Sequence, residues 1–166
     1  MLVKTSRFGE IEVEDSAVIE FPEGIVGFPE IRGFVIFDGP EGTPFKWLQS
    51  TERPELAFVI CDPLLFKTDY KVSVAKEELT VLELAGIDDA VVCVILSIPA
   101  DPWKMTANLM GPVIFNAEKR LGKQLVLSGP EHTTKHPVFP DGKPGPLGGM
   151  SQGGQQTPAR TSGDKG

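Results

Sequence analysis

The sequence predicts a mainly β fold: an antiparallel β-barrel-like domain with one short helix and a disordered C-terminal tail. Three observations carry this expectation. Apolar residues recur mostly at period two, in short runs split by Gly and Pro. A single segment shows helical spacing instead. Past Pro137 the aliphatic residues almost vanish. The expected division is a domain over residues 1–136 and a tail over 137–166.

Candidate strands cover residues 11–13, 17–21, 34–37, 45–49, 57–61, 91–98, 112–116 and 124–127. Turn chemistry separates them at Phe21-Pro22-Glu23-Gly24, Asp38-Gly39-Pro40-Glu41-Gly42 and Pro99-Ala100-Asp101-Pro102. The helix is expected over 76–85. There Leu79, Leu82 and Ala85 share a face, Glu77 and Glu78 favour the first turn, and Gly86 follows the end. Residues 101–127 read as strand, basic turn and strand, with Pro112 and Gly122 punctuating a hairpin. Many short strands expose many edges. A closed sheet removes them, and the helix would then cover an edge or plug an opening.

The chain has 166 residues and a net charge of −7. Residues 140–166 hold eight glycines and four prolines, with Leu147 and Met150 the only sizeable apolar side chains. Such a segment buries too little surface to offset its ordering entropy. Residues 137–166 carry a net charge of +1, so the acidity, about −8, belongs to the domain. That balance argues against direct nucleic-acid binding and favours solubility or a basic protein partner. The N-terminus has no apolar signal region, and the longest apolar run, residues 90–98, is too short for a membrane helix. The expectation is a cytoplasmic, soluble protein that is a monomer on its own.

Little reactive chemistry is present. His132 and His136 lie four apart, but the segment between them is poor helix context and supplies no carboxylate or thiolate. Glu10, Glu12, Glu14 and Asp15 read as a solvated face, and Cys61 and Cys93 as small hydrophobes inside apolar runs. No catalytic, cofactor or metal residue is nominated, and the expectation is a protein that is not an enzyme. Two segments suit binding instead. In Pro44-Phe45-Lys46-Trp47-Leu48-Gln49-Ser50, alternate residues share a face, so the run is either a core strand or a strand presenting Trp47 or Leu48 as an exposed anchor. In residues 103–110, Met105, Leu109 and Met110 surround Thr106 and Asn108. That grouping suits either a core gap or an adaptable surface.

The chain resembles the flagellar assembly factor FliW family. The matching segments are Arg7-Phe8-Gly9-Glu10-Ile11-Glu12-Val13, the run from Phe21 to Phe28, the run from Pro44 to Ser50, Leu56-Ala57-Phe58-Val59-Ile60-Cys61-Asp62-Pro63, and the long run from Met105 to Leu127. The Gly/Pro/Gln-rich tail lies outside this pattern. The resemblance implies a non-catalytic cytoplasmic protein with two alternative partners: flagellin, and CsrA, a small RNA-binding repressor of flagellin translation. Export of flagellin would free the protein to bind CsrA and release translation. The candidate protein-binding residues are Phe45, Lys46, Trp47, Leu48, Gln49, Met105, Thr106, Asn108 and Leu109, with Glu10, Glu12 and Glu14 as the acidic face. Trp47, Leu48, Met105 and Leu109 are the expected anchors. The alternative is a small-molecule-binding β-barrel, which would need a convergent pocket.

Overall fold

The period-two runs fold as strands, and nearly all of them join one sheet. In the computed structural model, described for residues 1–140, these are β1 (Leu2–Thr5), β2 (Gly9–Glu12), β3 (Ile19–Glu20), β4 (Gly33–Asp38), β5 (Lys46–Ser50), β6 (Ala57–Cys61), β7 (Val91–Ser97), β8 (Thr106–Ala107), β9 (Val113–Asn116), β10 (Leu121–Gln124) and β11 (His136–Pro137). The helix α1 spans Lys76–Val81. The tail from residue 141 onward lies outside the described residues.

Strands β7, β6, β5, β4, β3, β10 and β9 pair in succession, and β9 returns to β7, closing a seven-stranded barrel. All these neighbours are antiparallel except β3 and β10. Closure depends on the length of β7. Its residues 91–93 pair with β9, residues 94–96 with β6, and residues 96–97 with β8. The two-residue strand β11 extends the sheet beyond β8.

Register decides what fills the barrel, because side chains alternate across a strand. Ile36, Leu48 and Phe58 lie in line on three neighbouring strands. Ile60 faces Ile95, Cys93 faces Val113 and Ile19 faces Phe34. With Phe21 and Phe115 these form one interior cluster. The remaining ring strand, β10, contributes Gly122 opposite Phe115. A Cβ at Gly122 would fall 2.5 Å from Cζ of Phe21. Phe21 is fully buried and packs edge to face on Phe34 at 5.2 Å. Gly122 thus lies inside a strand, because it makes room for an aromatic ring.

The outer faces are covered too. Outside β6 and β7, Cys61, Val94 and Leu96 pack with Tyr70, Met105, Leu109, Val138 and Phe139. The Tyr70 hydroxyl donates to the Leu109 carbonyl at 2.6 Å. Outside β9 and β10, Ile114 and Leu125 pack with Leu82 at the end of α1. Strand β9 is therefore buried on both faces. Its Asn116 donates from Nδ2 to the carbonyls of Leu82 at 2.9 Å and Glu83 at 3.2 Å, closing the helix end. Its Oδ1 accepts from Glu118 and Lys119 in the hairpin turn.

Several boundaries differ from the sequence expectation. The helix stops at Val81, with Glu83 in the left-handed region at φ 57° and Leu84 N–H bonding the Leu79 carbonyl at 2.9 Å. Tertiary contacts of Leu82 and Asn116 set this end, several residues before Gly86. The last hairpin strand is Leu121–Gln124, earlier than the expected 124–127. Strand β1 was not expected, and β3 keeps only two residues of the expected 17–21. The packed region also continues past the expected boundary at His136. Val138 and Phe139 are 2% and 4% exposed, and Phe139 packs edge to face on Trp103 at 4.9 Å.

Gly122→Ala is expected to lower stability by about 1–3 kcal/mol, because Phe21 has no room to yield within a filled barrel. Denaturant unfolding of the variant checks this. An unchanged midpoint would show that the ring moves aside.

Candidate protein-interaction surface

Strand β5 divides the expected anchors between the interior and the outside. Leu48, 0% exposed, points into the barrel cluster. It is a core residue, which corrects the expectation of an exposed anchor. Met105 and Leu109, at 3% and 0% exposed, belong to the cluster outside β6 and β7 and are likewise corrected. Phe45 is buried in that same cluster. Gln49 is buried as well, and its Nε2 donates to the carbonyls of Ser50, Pro54 and Leu56 at 3.0–3.2 Å. These contacts shape the turn after β5 and leave no side chain for a partner.

The remaining nominees reach solvent. Trp47 is half-buried, Lys46 is exposed and pairs with Asp38 at 2.6 Å, and Thr106 and Asn108 are half-buried. Asn108 Oδ1 accepts from Met110 and Gly111, so its carbonyl is committed to the turn before β9. Glu10, Glu12 and Glu14 are exposed. Glu12 and Asp15 flank the amino group of Met1 at 3.1 and 3.3 Å. The hydrogen bond to Glu12 is the main cause holding that amine above its ordinary range.

The structure brings Trp47 together with residues that the sequence reading did not nominate. Strands β1 and β2 form a separate two-stranded sheet. The turn between them carries Arg7 and Phe8. Phe8 meets Phe37 at 5.5 Å and Trp47 at 6.0 Å, both edge to face. The Arg7 guanidinium lies 4.4 Å from the Trp47 ring centre. Phe8 remains 39% exposed. The group is thus an aromatic patch with one face in solvent, beside the acidic strand β2. Its sequence signal was present in Arg7-Phe8, which lies 39 residues before Trp47, and only the hairpin fold joins them.

A separate feature is an open cleft of about 280 Å³ lined by Trp103, Lys104, Met105, Thr106, Pro137, Phe139 and Pro140. It lies at the outer sheet edge formed by β8 and β11. Nearby, His136 stacks on Phe66 at 5.9 Å, and burial is the first cause holding it below its ordinary value. His132 instead meets Tyr70 edge to face and contacts the Ser128 carbonyl. The two histidines therefore pack against different aromatic rings. Among the described residues no group of three His, Cys, Asp or Glu side chains is placed to hold a metal ion, and no helix is long and apolar enough to cross a membrane.

A family model described as FliW protein matches residues 2–138. The chain belongs to the FliW family. Flagellar assembly factor FliW of Natranaerobius thermophilus is 41% identical over 142 residues, covering 85% of this chain and 94% of the relative. The Geobacter sulfurreducens protein of the same name is 45% identical over 139 residues, covering 84% and 87%. A crystal structure of a flagellar assembly factor FliW superposes with a TM-score of 0.79 at 35% identity, covering 85% of this chain and 99% of that one. The barrel, the short helix and the outer covers are therefore the FliW fold.

Burial pushes the Cys61 thiol up to about 12 and the Cys93 thiol to about 11. Both remain protonated at pH 8, so thiol labelling of the native chain is expected to be slow and to accelerate on unfolding. Fast native labelling of either would show that its strand face opens.

Proposed function

We propose that this protein is a cytoplasmic flagellar assembly factor that binds flagellin and, alternatively, CsrA. Binding CsrA relieves repression of flagellin translation. Family membership supports the role in flagellar assembly. The FliW resemblance supplies the names of the partners, and charge supports a basic one: residues 1–62 hold five Lys and Arg against twelve Asp and Glu. Such a field steers a basic RNA-binding protein toward the domain and places negative charge beside its phosphate-binding groups. RNA itself is repelled, so the protein acts on the repressor by protein contact and needs no catalysis.

The contact proceeds in two parts. Exposed Glu10, Glu12 and Glu14 on and beside β2 accelerate encounter, and the aromatic patch of Phe8 and Trp47 sets the lifetime of the complex. Before binding, the protein is a monomer. A ligand-holding barrel fits poorly, since aromatic and aliphatic side chains of the ring strands fill the interior.

Replacing Glu10, Glu12 and Glu14 by Gln is expected to slow association with CsrA and flatten its salt dependence. Phe8→Ala is expected to speed dissociation by a factor corresponding to about 1–2 kcal/mol. Binding kinetics at low and high salt check both. Unchanged low-salt association of the Gln variant would refute charge steering, and capture of neither CsrA nor flagellin would refute the assignment of partners.

A further inference from the structure

The hydrogen-bond phase of the β1–β2 hairpin determines what its edges offer. Met1 and Val13 exchange both backbone hydrogen bonds, and the register pairs Val3 with Ile11 and Thr5 with Gly9. In an antiparallel pair the bonded positions alternate with non-bonded ones. Val3–Ile11 and Thr5–Gly9 are therefore the bonded pairs, and the N–H and C=O groups of Glu10 and Glu12 point away from β1. Among the described residues nothing accepts from or donates to these backbone groups. Glu14 continues the extended course at φ −73° and ψ 144°, and its carbonyl accepts from Ala17, which ends the free edge. The side chains of Val3 and Thr5 turn toward the protein and are buried, while Glu10 and Glu12 face solvent. One strand edge thus presents unpaired backbone groups and carboxylates at alternate positions.

Other edges do not combine free backbone groups with carboxylates. The outer strand β11 has two residues, and Pro137 has no N–H to give. The outer edge of β1 also leaves the backbone groups of Leu2 and Lys4 free as far as Ser6, whose N–H bonds the Pro54 carbonyl at 2.9 Å, but it carries Lys4 and no carboxylate and so does not attract a basic strand. Charge normally guards such edges against pairing. A guard of one sign is selective, because a second copy of β2 would set carboxylate against carboxylate while a basic strand would set opposite charges in register. Lys4, across from Glu10, and the Met1 amine, beside Glu12, are the cations already at this sheet. Both lie on the β1 side and leave the outer side of β2 to a newcomer.

We infer that the outer edge of β2 receives an extended segment of a partner protein that carries Lys or Arg at every second position, adding a third strand to the hairpin. The inference rests on the reading that β2 belongs to the partner-facing surface, and it states how that contact is made. Backbone bonds to Glu10 and Glu12 supply affinity, and their carboxylates supply the choice of sequence.

Amide hydrogen exchange of the full chain tests this with two short peptides of equal composition, one alternating lysine with threonine and one with its lysines contiguous. The alternating peptide is expected to slow exchange at Glu10 and Glu12 by about tenfold or more, and the contiguous one by far less. Equal slowing by both peptides overturns the inference, as does no slowing by the alternating peptide at about millimolar concentration. Slowing that grows with protein concentration alone would reveal a second copy at the edge and overturn it too. If the Gln variant associates slowly with CsrA while neither peptide protects the edge, charge steering stands and strand addition falls. If the alternating peptide protects the edge but CsrA association ignores the three carboxylates, strand addition stands and the CsrA reading falls.

Discussion

The structure depends on β7 having enough length to serve two neighbours on one edge. Its first three residues close the ring against β9, and its last two pair with β8. Between them, β6 occupies the opposite edge. Once the ring is closed, every strand has one face committed to the interior. Period-two alternation then assigns the other face outward without further choice. The interior holds large side chains such as Phe21, Phe34 and Leu48, and fits them by omitting a side chain at Gly122.

Closure also creates a problem outside. Cys61, Val94, Leu96 and Ile114 lie on outward positions and are apolar, so the barrel cannot stand bare in water. The chain covers them with the end of α1, the segment around Tyr70, and Val138 with Phe139. Asn116 links two of these tasks, since one side chain shapes the β9–β10 turn and closes α1. Met105 and Leu109 belong to this covering layer. Their apolar character, which suggested a binding surface, is the mark of an outer core.

Much of this was legible in the sequence. The alternating runs, the hairpin near Pro112, the helix start and the FliW resemblance all lead to the observed barrel. The sense of each face was not legible, because Phe45-Lys46-Trp47-Leu48-Gln49 alternates equally well with either side inward. Only the register of β5 between β4 and β6 places Leu48 inside. Gly122 looked like a strand breaker because its role depends on Phe21, about 100 residues earlier. Strand β1 was missed because four residues with one fully buried valine give little pattern. The aromatic patch escaped notice for a similar reason: Phe8 and Trp47 meet only after the hairpin folds back.

Under the proposed function, adjacent residues of β5 serve different ends, Leu48 the fold and Trp47 the partner. The most direct measurement compares CsrA dissociation from Trp47→Ala and Leu48→Ala at a temperature where both remain folded. Faster dissociation is expected for Trp47→Ala. A parent-like rate is expected for Leu48→Ala, whose loss of about 2–5 kcal/mol falls on stability alone. Faster dissociation from Leu48→Ala with a parent-like rate for Trp47→Ala would place the partner contact elsewhere.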